Sequence, residues 1–183
     1  MEIIANIIGF AAMAISILSF QQHTRSKILL FQIVSTLLFV IQFLMLGGIT
    51  GMALNAVACV RTVIYYFREE KTWAGKPFWP YLFMLISVGV TFLTWEGVMS
   101  LLPMIGLITT SVSTWIRKPL FIRLLNLPSS VSWIVYNALV NSYAGICTEI
   151  FAIISVAIGL LRFDILQNEK NPFYRARMKR EVK

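Results

Sequence analysis

Seven stretches of almost unbroken apolar residues follow one another along the chain, at 3–21, 28–46, 49–67, 78–94, 97–116, 120–140 and 143–163. Each has about the 17–25 residues a helix needs to cross the hydrocarbon layer. Only helices and closed barrels satisfy their backbone inside lipid, and continuous apolar runs without period-two alternation predict helices. The breaks are short, so successive helices are predicted to run antiparallel. The first stretch resembles a secretory leader at Ala12-Met13-Ala14. No positive residue precedes it, however, and apolar sequence continues to Phe20, so it is expected to be a retained helix.

The breaks differ in charge. Arg25 and Lys27 lie in the first, Arg68, Lys71 and Lys76 in the third, and Arg117, Lys118 and Arg123 in and beside the fifth. Seven more basic residues follow from Arg162 to the end. Together these make fifteen of the 16 Lys+Arg. The intervening breaks, Gly47-Gly48, Trp95-Glu96 and Asn141-Ser142, have none. Basic loops stay in the cytoplasm, so the alternation predicts an outer N-terminus and a cytoplasmic C-terminus.

Composition agrees with this reading. The chain of 183 residues is 58% hydrophobic and only 13% charged, whereas soluble domains carry roughly 25% charged residues. The net charge of +8 would suggest nucleic acid in a soluble protein. Here the basic residues flank apolar runs, no basic groove with interleaved aromatics is visible, and nucleic acid is not an expected partner. The expected partners are the bilayer and a small polar solute, with self-association compatible with so small a bundle. Two cysteines, Cys59 and Cys147, make neither a disulfide framework nor a metal cluster and read as buried small hydrophobes. The single histidine, His23, is in a connection, and neither an HExxH nor a GxSxG motif occurs. No catalytic residue, metal or cofactor is expected, and the chain does not read as an enzyme.

A shift of 94 residues superposes the pattern on itself without a gap. Ser19 falls on Ser113, Ser35-Thr36 on Ser129-Ser130, Phe39 on Trp133, Gly51 on Gly145, Asn55 on Glu149 and Arg68 on Arg162. Loop lengths and loop charges recur as well. The predicted fold is therefore an all-α membrane protein of seven transmembrane helices, 3+1+3. Residues 1–67 form one three-helix repeat, 68–95 a loop and linker helix, 96–163 the second repeat and 164–183 a basic tail. One linker helix returns the chain to its starting side, so the repeats are predicted to be parallel, related by an axis along the membrane normal, as in SWEETs.

Polar groups inside the spans are costly and mark candidate sites. Asn55 and Glu149 each lie about three residues to the outer side of their span centres, with Phe39 and Trp133 at similar depth. At about 1.5 Å per residue, these four share a layer about 5 Å above the midplane. Asn137 is one turn beyond Trp133 on the same face. Arg61 lies about three residues to the cytoplasmic side. The reading is a solute pocket lined by Asn55, Trp133, Asn137 and Glu149, with Arg61 and Glu149 as a gate or ion pair. The competing reading is a scaffold or sensor in which these residues only hold helices together. Ser16, Ser19, Thr110 and Ser113 read as close-packing residues. Pro103 and Pro128 are expected to bend their helices, and Tyr65, Tyr66, Trp95 and Trp115 to sit in the interfacial aromatic belts.

Leu101-Leu102-Pro103-Met104-Ile105-Gly106 followed by Ser113-Thr114-Trp115 resembles the YgjV-type family of bacterial inner-membrane proteins. Arg123, Trp133, Asn137, Gly145 and Glu149 match that family's pattern, as does Leu54-Asn55-Ala56 with Arg61-Thr62. The family is similar in turn to the MtN3/SWEET and PQ-loop proteins, and Ser19-Phe20-Gln21-Gln22 resembles a PQ motif without its proline. The resemblance implies solute binding between the third and seventh helices. SWEET-like proteins have asparagines there; this chain has Asn55 and Glu149.

Overall fold

The computed structural model describes residues 1–20, 22, 25–116 and 119–161. It is all-helical. Seven helices follow one another: α1 (Glu2–Phe20), α2 (Arg25–Leu46), α3 (Ile49–Tyr66), α4 (Trp79–Leu93), α5 (Leu101–Trp115), α6 (Pro119–Leu139) and α7 (Tyr143–Gly159). Short 3-10 turns at Phe67–Glu69 and Val98–Ser100 lead out of α3 and into α5. Seven apolar stretches thus become seven helices. Four segments are long and apolar enough to cross a membrane by length and composition: Glu2–Ser19, Ser26–Leu46, Ile49–Glu69 and Val98–Trp115. Helix α4 falls short of the seven spans expected because it has 15 residues, about 22 Å of helix against a hydrocarbon layer of about 30 Å. Helix α6 carries Asn126, Pro128, Ser129, Ser130, Ser132 and Asn137, which dilute its apolar character.

The burial pattern is the reverse of a water-soluble bundle. Leu30, Leu37 and Leu44 of α2 stand exposed at intervals of seven residues. Ser19, Ser35, Gln42, Thr50, Ser87, Thr91, Ser100, Ser111 and Ser113 are fully buried. Lipid tails reward apolar surface, so nothing drives large apolar groups inward. Small hydroxyl residues instead let helices approach and bond across their interfaces. The Ser35 hydroxyl donates to the Ala12 carbonyl at 2.8 Å, pinning α2 to α1. Cys59 is buried as expected, but Cys147 is exposed, because it lies on the outward face of α7.

Helix α1 packs on α2 and α2 on α3; likewise α5 packs on α6 and α6 on α7. The most extensive contacts between the triplets are α1 with α7 and α3 with α5, and α4 lies against α3 and α5. Individual bonds recur at the 94-residue offset. Ser129 donates to the Gly106 carbonyl at 3.0 Å, the counterpart of Ser35 on Ala12. Ser19 donates to the Ser16 carbonyl and Ser113 to that of Thr110. Gly48 N–H donates to the Phe43 carbonyl at 3.0 Å and Ser142 N–H to that of Asn137 at 2.9 Å.

The end of the bundle that holds the N-terminus is tightly bonded. Gly47 adopts φ +79, the left-handed conformation that lets α2 turn into α3 in two residues. Both carboxylate oxygens of Glu96 accept from the first turn of α3, from Ile49 N–H at 3.2 Å and Thr50 N–H at 2.8 Å. These N–H groups have no partner within their own helix. Asn6 of α1 does the same for α7, its Oδ1 accepting from Tyr143 N–H at 3.0 Å. Two expectations change. Pro103 occupies the first turn of α5, where a missing N–H costs little, so among the described residues Pro128 alone lies in a helix interior. Tyr65 is 2% exposed and donates to the Ser111 carbonyl, because the face of α3 carrying Arg61, Tyr65 and Arg68 turns toward α5 rather than to the interface. Arg68 lies 3.7 Å over the Trp115 ring and bonds the Trp115 carbonyl.

Candidate functional site

Asn55, Arg61, Trp133, Asn137 and Glu149 all line one cavity of about 180 Å³. Helix α3 contributes Asn55 and Arg61, α6 contributes Trp133 and Asn137, and α7 contributes Glu149. The wall is completed by Phe39 and Phe43 of α2 and by Leu107 and Thr110 of α5. The cavity therefore lies between the two triplets.

Each polar side chain has its own setting. Arg61 is 8% exposed. Its Nη1 donates to the hydroxyls of Thr110 and Ser111, both at 3.0 Å, and to the Leu107 carbonyl at 3.4 Å. Its Nε is buried without a partner. The Arg61–Glu149 ion pair expected as one alternative is absent among the described residues: Arg61 spends its bonds on α5 while Glu149 stands on α7. The two face the same space without neutralising each other. Asn55 is half-buried and donates back to the Gly51 carbonyl of its own helix at 2.9 Å. Asn137 is 2% exposed, and its Oδ1 has no hydrogen-bond partner. Its amide lies so close to Gly145 that a Cβ there would overlap it, and the Trp133 indole lies against Gly106 in the same way. Both glycines let large cavity side chains lie flat against a neighbouring helix.

Toward the N-terminal end, the cavity is capped by aromatic rings. Phe43 lies 5.9 Å from Trp133 and 5.8 Å from Tyr136, and Trp133 meets Tyr136 edge-on at 6.0 Å. The Tyr136 hydroxyl accepts from Gly51 N–H at 2.9 Å, joining α6 to α3 across the triplet interface. Toward the basic end lies a second chamber of about 430 Å³, reached past Arg61 and Glu149, which line both. Its own walls carry Ser16, Gln32, Asn126, Ser129, Ser130 and Ser155. Aromatic rings thus cap one end of the interior, while serine, threonine, asparagine and glutamine side chains stand along the walls toward the other.

Sequence reading missed Phe43, Tyr136 and Thr110 as parts of this site. Thr110 was assigned to close packing, yet it bonds the buried guanidinium. Tyr136 follows Trp133 by three residues and shares its face, which was the available signal. Gln21 of the PQ-like stretch, His23, Arg117, Lys118 and the tail beyond 161 lie outside the described residues, as does the Arg123 side chain.

An apolar exterior, a bonded hydroxyl-rich interior and a charged cavity between helix triplets define an all-helical membrane protein. The chain belongs to the Imp-YgjV family, described as bacterial inner membrane protein, whose family model matches residues 3–167. No curated protein and no solved structure matches the chain.

Proposed function

We propose that this protein is a transporter of a small polar solute, built from two parallel three-helix repeats joined by α4 in a SWEET-like 3+1+3 arrangement. The observation that carries the reading is the cavity between the triplets, with the Tyr136–Gly51 bond at one end and, at the other, a second chamber that shares Arg61 and Glu149 as lining. Parallel repeats are supported by the paired contacts and bonds at the 94-residue offset. The fifteen-to-none split of basic residues supports an outer N-terminus and a cytoplasmic C-terminus. In that orientation the site opens toward the cytoplasm. Asn55, Trp133, Asn137 and Glu149 contact the solute, and Arg61 and Glu149 guard the passage between the chambers. Rocking of one triplet against the other about this site would alternate its access.

Purified protein in liposomes, tested for counterflow of sugars, nucleosides and amino acids, decides the matter. Saturable exchange of at least one solute, abolished by Trp133→Ala, is the expected result. The bonds from Arg61 to α5 also suit a rigid scaffold or sensor. Folded protein that exchanges none of the panel would favour that second reading.

A further inference from the structure

Resting on the transport reading of the same cavity, we propose that the solute is a small zwitterion, its carboxylate held by Arg61 and its cationic group by Glu149. The cavity presents both charges and lets neither satisfy the other. Arg61 is permanently cationic and, among the described residues, bonds through Nη1, toward Leu107, Thr110 and Ser111. Its Nε is buried and unpartnered. A carboxylate suits the free edge of a guanidinium, which offers two parallel donors. Glu149, from another helix, lines the same space and, when ionised, presents acceptors and no donor.

Other solute classes fit less well. A neutral polyol would leave both charges without an opposite charge. A simple anion would leave Glu149 unanswered, and a simple cation would leave Arg61 unanswered. Asn137 Oδ1 is also buried and unpartnered, packed against Gly145 of α7. The rings of Phe39 and Trp133 supply an apolar wall for a short side chain. The volume of about 180 Å³ is below the roughly 300–1,000 Å³ of sites for drug-sized ligands, which favours a solute of few heavy atoms.

The test is calorimetric titration of the purified full chain in detergent with L-alanine, propionate, ethylamine and glucose. Propionate lacks the amine and ethylamine the carboxylate, so each removes one charge without adding bulk. L-alanine is expected to bind at least about tenfold more tightly than any of the other three. In Glu149→Gln its affinity should fall toward that of propionate, which should itself change little. Glucose or a single-charge probe binding as tightly as L-alanine would overturn the proposal, as would no binding of L-alanine, glycine or L-proline by folded protein. Counterflow of a neutral solute without zwitterion binding would refute this inference and leave transport standing. Zwitterion binding without flux would do the reverse.

Discussion

Tyr136 reaches from α6 to the first turn of α3, where its hydroxyl accepts the Gly51 N–H at 2.9 Å. Gly51 can be so close only because it lacks a Cβ; one placed there would overlap the Tyr136 ring. The contact joins the triplets at the N-terminal end of the cavity, and in the transport reading proposed above it is the point where they must part for solute to enter from that side. Tyr136→Phe leaves the Gly51 N–H buried and unpaired, and is expected to cost about 1–3 kcal/mol. Gly51→Ala is expected to cost about as much by overpacking. Unfolding of the purified variants in detergent measures both, and an unchanged Tyr136→Phe would remove the contact from the closure.

Glu96 caps α3 with both carboxylate oxygens. Its removal in Glu96→Ala should destabilise the protein by about 1 kcal/mol, with a smaller loss in Glu96→Gln, which keeps one acceptor. A thermal midpoint in Glu96→Ala equal to that of the parent protein would show that the cap contributes nothing.

Arg61 and Glu149 share a cavity without pairing. In a double-mutant cycle with Arg61→Met and Glu149→Gln, the coupling between the two changes should therefore stay well below that of a direct buried pair. A direct buried pair would instead make each single change costly and the double change cheaper than their sum. Substantial recovery in the double variant would contradict the geometry found here.

Orientation is open to fusion reporters. Alkaline phosphatase following Lys183 should be inactive and a fluorescent protein at that position bright, while a tag before Met1 should be accessible from the periplasm. An active phosphatase at the C-terminus would invert the proposed direction of opening.

Sequence alone determined what depends on neighbours along the chain. Lipid demands that each span satisfy its own backbone, so seven apolar runs became seven helices, with α2 ending at Leu46, α3 starting at Ile49 and α7 at Tyr143 as read. Depth along a helix is also local arithmetic, which is why Phe39, Asn55, Trp133 and Glu149 were legible as one layer, with Asn137 a turn beyond, and all five line one cavity. Rotation of each helix about its axis was not legible. It is set by contacts between residues far apart in sequence, and in a nearly uniform apolar run no strong polar face fixes it in advance. Packing therefore decided that Tyr65 turns inward, that Arg61 bonds Thr110 and Ser111 rather than Glu149, and that Asn6 caps α7. Small residues made those choices. Where Gly51, Gly106 and Gly145 lack a Cβ, Tyr136, Trp133 and Asn137 fit against them, and that fit between distant segments exists only in the folded bundle.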